Sequence, residues 1–119
     1  MAAGRPQNSK TPAWRSKPAI KVRAYRFLMG DKGTKADCAN VTNLSRTTVI
    51  KWYDQVAWTP ETSKNFEIMQ NWMIDHAGHH NISAKRCAAE VGLPLEIIQY
   101  EFKTLNEISV ILRGKETDF

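Results

Sequence analysis

The sequence predicts an all-α fold, a small bundle of about six helices, and three observations predict it. Apolar residues recur at helical spacing in the segments that begin near residues 18, 59 and 94. Those segments carry capping hydroxyls and first-turn prolines where helices start. No segment shows convincing period-two alternation, although "ISVILR" near the end offers an alternative strand. The 119 residues suffice for a compact domain with a core.

Residues 1–17, "MAAGRPQNSKTPAWRSK", lack an apolar period and read as a mobile basic arm. Pro18 behind Ser16 fits the first turn of a helix. Ile20, Ala24, Phe27 and Leu28 then share one face, with Lys21, Arg23 and Arg26 on an expected basic outer side. Gly30-Asp31-Lys32-Gly33 ends that helix. Thr59-Pro60-Glu61 starts another, with a cap, a first-turn proline and an acid at the positive dipole end. Phe66, Met69, Trp72, Met73 and His76 follow on its apolar face, as core or as an interface between copies. Ser83 or Asn81 caps a short helix. Pro94 opens a longer one, whose stripe is Leu95, Ile98, Phe102, Leu105, Ile108 and Leu112. The organisation expected is an arm over 1–17, a helical unit over 18–58 and a second over 59–119.

Charge is unevenly spread. Residues 1–35 carry nine Lys or Arg against Asp31 alone, and residues 36–119 carry eight against eleven acids. A basic end points to a polyanionic partner such as nucleic acid, or serves only as a solubilising tail. No apolar run reaches the ~20 residues of a membrane span, and no signal core opens the chain, so a cytoplasmic, nucleoid-associated protein is expected. Cys38 and Cys87 read as buried free thiols rather than a disulfide.

The segment from Thr34 to Tyr53, "TKADCANVTNLSRTTVIKWY", breaks at Asn-Leu-Ser. Two short helices that cross closely need a small residue at the contact and a left-handed turn four residues later. Ala39 and Asn43 fill those places. Leu44 plugs the core, Ser45 caps the second helix, and Val49 and Trp52 face inward. The pattern Ala39-x3-Asn43-Leu44-x4-Val49-x2-Trp52 resembles the helix-turn-helix superfamily of DNA-binding proteins, over 35–56. The resemblance implies a second helix in the major groove of double-stranded DNA, with Arg46, Thr47, Thr48 and Lys51 on base edges. Ser45 would meet a phosphate, with Arg5, Lys10, Arg15, Lys17, Lys21 and Lys35 as further backbone contacts. A helical hairpin that binds nothing is the alternative.

A shift of 49 residues brings the pattern back over 83–105: Cys38 falls on Cys87, Ala39 on Ala88, Asn43 on Gly92, Leu44 on Leu93 and Val49 on Ile98. Its reading positions are unsuited to DNA, because Glu96 and Glu101 would repel phosphates. Packing, self-association or a protein partner is assigned to this hairpin, with Lys85 and Arg86 within range of a phosphate. Chance similarity is the competing explanation.

Gly4-Arg5-Pro6 resembles a fragment of an AT-hook, a minor-groove element, and an unstructured arm can follow that groove in any case. Trp14 either inserts there or packs on the body. His76, His79 and His80 lack a second ligand pair at zinc spacing, so neither metal nor cofactor is expected. No Ser-His-Asp order, paired acidic motif or phosphate-cradling Gly loop supports an enzyme. The function expected is sequence-specific DNA binding by a small transcriptional regulator of a bacterium, virus or mobile element, acting as a homodimer or larger homo-oligomer. Ala3–Pro6 and "TVIKW" over Thr48–Trp52 also resemble viral small terminase subunits, which recognise genome DNA for packaging. A protein-binding adaptor is the third reading.

Overall fold

The computed structural model describes residues 12–78 and 82–116. The described chain forms six α-helices: α1 Lys17–Met29, α2 Lys35–Thr42, α3 Arg46–Tyr53, α4 Pro60–Asp75, α5 Ala84–Val91 and α6 Leu95–Glu116. Short 3-10 turns cover Ala13–Arg15 and Gly30–Lys32. No strand occurs among the described residues, and "ISVILR" is helical within α6.

Local chemistry sets the helix starts. The Ser16 hydroxyl accepts the Ala19 N–H at 3.2 Å, and Pro18 lies in the first turn of α1. Thr34 caps α2, Ser45 caps α3 and Ser83 caps α5 by the same bond. At α4 the Thr59 and Thr62 hydroxyls satisfy each other's backbone N–H groups, a reciprocal capping box. Gly33 is required for space, since a Cβ there would lie 2.8 Å from the Tyr25 ring.

The helices pack as two three-helix units, α1–α3 and α4–α6, with α1 laid along α6. They share one core, drawn from Val22 and Tyr25, Cys38, Val49 and Trp52 in the first unit and Phe66, Met69, Cys87, Ile98 and Ile108 in the second. Each large apolar side chain fully buried there contributes roughly 1.5–3 kcal/mol relative to exposure. Phe27, Trp58 and Phe66 form an aromatic triangle across the junction, with centroids 4.8 to 5.4 Å apart. Met69 and Trp72 are buried in this core, so the α4 face serves packing within the chain.

Three expectations are corrected. The outer side of α1 is not uniformly basic. Arg23 is 2% exposed: its guanidinium meets Glu101 Oε1 at 2.6 Å, donates to Thr104 Oγ1 at 2.9 Å and to the Thr62 carbonyl at 2.8 Å. The Trp58 and Tyr100 rings sandwich it at 4.6 and 4.5 Å. Arg26 turns inward too, donating to the Tyr53 carbonyl at 2.6 Å over the Tyr53 ring. Glu101, expected to repel phosphates, is therefore a buried counter-ion. Burial pushes its carboxyl above the usual range while the Arg23 guanidinium pulls it back. Finally, the α6 stripe is shorter than its spacing suggests, because Leu95 and Leu112 are exposed. Leu95 lies on the outer arc of the second hairpin, and Leu112 lies near the C-terminal end of α6.

The arm is ordered at its root. Residues 12–17 form the 3-10 turn and the first residue of α1, Ala13 packs on the core and Trp14 is half-buried, as the packing alternative required. The Arg15 guanidinium stacks 4.6 Å from the Trp14 ring centroid. Both cysteines are buried free thiols.

Replacing Arg23 by Met strands a buried carboxylate. It is expected to cost about 3–5 kcal/mol in denaturant unfolding, and Glu101→Leu in the same chain should recover most of that loss. Alkaline titration supplies a second check. Burial pushes the Cys38 thiol from 9.0 up to about 11 and the Tyr25 hydroxyl from 10.0 up to about 12. The folded state thus holds these protons more tightly than the unfolded chain. Their contribution to stability is complete below pH 9.0 and is lost as pH rises through about 11 and about 12, so melting temperature should fall across that window.

Candidate nucleic-acid interface

The reversal between α2 and α3 is a left-handed cap. Asn43 has φ 61° and ψ 33°, the only non-glycine positive φ among the described residues. Its N–H and that of Leu44 both donate to the Ala39 carbonyl, the latter at 3.2 Å, which satisfies an otherwise unpaired helix end. Ala39 is buried, and Val49 and Trp52 anchor the inner side of α3. Tyr25 fixes the start of α2: its hydroxyl donates to Asp37 Oδ2 at 2.8 Å and accepts the Thr34 N–H at 3.0 Å. The Arg26 bond to the Tyr53 carbonyl holds the other end of α3 to α1.

α3 is thus an eight-residue helix, about 12 Å long, whose outer arc faces solvent. Arg46, Thr47 and Lys51 are exposed on that arc. Thr48 is half-buried instead, and its side chain serves the cap. Ser45 Oγ accepts the Thr48 N–H at 3.2 Å and donates to Thr48 Oγ1 at 2.9 Å. Ser45 itself is exposed. Ile50 was missed as part of this arc. It is 60% exposed, one helical turn beyond Arg46 and between Arg46 and Thr47 on the wheel. The spacing that selected Arg46 also selects Ile50; its apolar character led away from it. The arc also carries Asp54, 3.9 Å from the Lys35 ammonium, which moderates its positive charge.

The expected backbone-contacting residues do not form one set. Lys35 stands near the C-terminal end of α3 through Asp54. Lys21 lies away from the α3 arc, 3.2 Å from Glu107 Oε1, in a cleft of about 550 Å3 that α6 shares with Asn40 and Asn43. Arg15 and Lys17 are exposed at the start of α1 and gather beside α6. Arg5 and Lys10, with Gly4 and Pro6, lie outside the described residues.

The second hairpin repeats the first at the same offset of 49 residues, with α5 over Ala84–Val91 as α2 is over Lys35–Thr42. Gly92 takes φ 77° and ψ 30° where Asn43 stood, and the Gly92 and Leu93 N–H groups donate to the Ala88 carbonyl at 3.0 and 3.2 Å. The paired cysteines, alanines and Val49/Ile98 are all buried. What differs is the outer arc, which on α6 presents Leu95, Glu96 and Gln99.

His76 belongs to a polar seam between α4 and α5. Its ring stacks on Trp72 at 4.3 Å, and Nε2 lies 3.2 Å from Glu90 Oε1. Glu90 also accepts from Arg86 at 2.7 Å and from the Trp72 indole at 2.8 Å, and these bonds hold its carboxyl below the usual range. His79 and His80 lie outside the described residues. No group of three His, Cys, Asp or Glu among the described residues could hold a metal ion. None of the described helices is long and apolar enough to cross a membrane. Comparison with protein-family models, curated proteins and solved structures finds no match to this chain.

Glycine at position 43 is expected to be neutral or to stabilise the fold by up to ~1 kcal/mol, since it enters the left-handed region freely. Asn43→Val should instead cost about 1–2 kcal/mol, read by urea unfolding.

Proposed function

We propose that the chain is a sequence-specific double-stranded DNA-binding protein, most simply a small transcriptional regulator of a bacterium, virus or mobile element. One observation carries this reading. The left-handed cap at Asn43 turns out a short helix whose inner side is buried and whose outer arc offers Arg46, Thr47, Ile50 and Lys51 to solvent.

The chemistry suits base edges. A helix of this diameter fits the major groove, ~12 Å wide. Arg46 at the first helical position can bond bidentately to guanine O6 and N7. Thr47 and Ile50 offer methyl groups to thymine. Lys51 reaches toward base edges from the same arc, Lys35 supplies a phosphate contact along the flank, and Ser45 lies at the helix's positive end. Eight residues read only a short site, so specific recognition calls for a second copy. The packaging and adaptor readings separate from this one by assembly and ligand. Light scattering of the DNA complex should give a dimer for a regulator and a larger ring for packaging. An adaptor should bind no duplex.

Selection from a random duplex pool should return a preferred sequence. Arg46→Ala is expected to lower the preference for that sequence over random DNA by about 1–3 kcal/mol, measured by fluorescence anisotropy at fixed salt. An unchanged preference would count against α3 as the reading element.

A further inference from the structure

A second cationic surface lies on the other side of α1, where the root of the arm meets α6. Two adjoining clefts, of about 430 and 360 Å3, share Arg15 and Lys103 as lining residues. The larger also takes in Lys17, Phe102 and Asn106. Arg15, Lys17 and Lys103 are all exposed, and none forms an ion pair with a described residue. The one carboxylate lining the larger cleft, Glu107, is engaged by Lys21 at 3.2 Å. Glu96, in the smaller cleft, is the one other acid lining them. Three cations with no ion pair among the described residues line these clefts from the 3-10 turn, α1 and α6, and their like charges repel one another. The first turn of α1, where acids would favour the helix dipole, contains none.

We propose that Arg15, Lys17 and Lys103 form a seat for the phosphate backbone of duplex DNA, separate from the α3 arc. The inference rests on the DNA-binding reading and adds a second place of contact. The occupant follows from charge. A polyanion with regularly spaced charges repays the assembly of fixed cations by releasing its counterions. Of the rings lining these clefts, Arg15 lies over one face of Trp14, Arg23 lies over one face of Tyr100, and Phe102 is half-buried. Backbone contact therefore fits better than capture of unpaired bases. Lys103 is the diagnostic residue, because the basic charge of the first 35 residues does not include it.

The test compares Lys103→Glu with Lys64→Glu, an equal charge change at an exposed site on α4. Full-length protein is titrated with random-sequence duplex and with its selected duplex over a range of salt. Circular-dichroism melting confirms that both variants fold. Lys103→Glu should weaken binding to both duplexes on the order of tenfold at low salt and reduce the slope of log affinity against log salt by about one, with the sequence preference kept. Lys64→Glu should do neither. Equal effects of the two variants would reduce the seat to bulk charge, and no effect of Lys103→Glu would remove it. If the parent binds duplex without preference while Lys103→Glu weakens it, the seat stands and the reading role of α3 falls. If the parent shows a preference that Lys103→Glu leaves intact at undiminished affinity, the seat falls and the reading role stands. No binding by the parent overturns both.

Discussion

The buried pair of Arg23 and Glu101 is the constraint on which the arrangement depends. Its partners lie 78 positions apart, one in each three-helix unit. An unpaired charge at this depth is costly, so the two units can close only in the register that brings the guanidinium onto the carboxylate. Thr104, the Thr62 carbonyl and the two flanking rings use the remaining donors and faces of Arg23. Apolar packing of α1 on α6 supplies the driving force for closure. The pair selects one alignment among those that packing alone would accept.

Register at that point propagates outward along α1. Two residues beyond Arg23, Tyr25 holds the start of α2 through Asp37 and Thr34. One residue further, Arg26 holds the end of α3 through the Tyr53 carbonyl. The orientation of the α3 arc is therefore set by the same helix that carries the buried charge. Exposed side chains at Arg46 and Ile50 are presented by a rigid support, which is what a base-reading role would require.

The two hairpins show how one backbone solution accepts different surfaces. Both use a capping hydroxyl, a buried Cys-Ala pair and a left-handed residue to close a short helix onto the next. Inner positions are thereby fixed in character, and outer positions are free to vary. The first hairpin carries Arg, Thr, Ile and Lys outward. The second carries Leu, Glu and Gln, while its helix runs on to receive Arg23 and border Lys103. Under the proposed reading, the first copy recognises DNA and the second builds the body and a flank of the phosphate seat.

Much of this was legible in the sequence, because local stereochemistry dictated it. Ser16, Thr59 and Ser83 cap helices through bonds to residues three positions away, and Asn43 reverses the chain whatever packs around it. The helix count, the hairpin and the buried cysteines follow from such short-range rules and from apolar spacing. The fate of charged side chains was not legible. Arg23 and Arg26 look like an outer basic face until α6, α4 and α3 surround them, and Glu101 looks like a repulsive surface acid until Arg23 meets it. Lys103 becomes a neighbour of Arg15 only through the α1–α6 contact. Periodicity locates the side of a helix that must be buried, but only the tertiary partner decides whether a charge on it meets water, a counter-ion or another charge of the same sign.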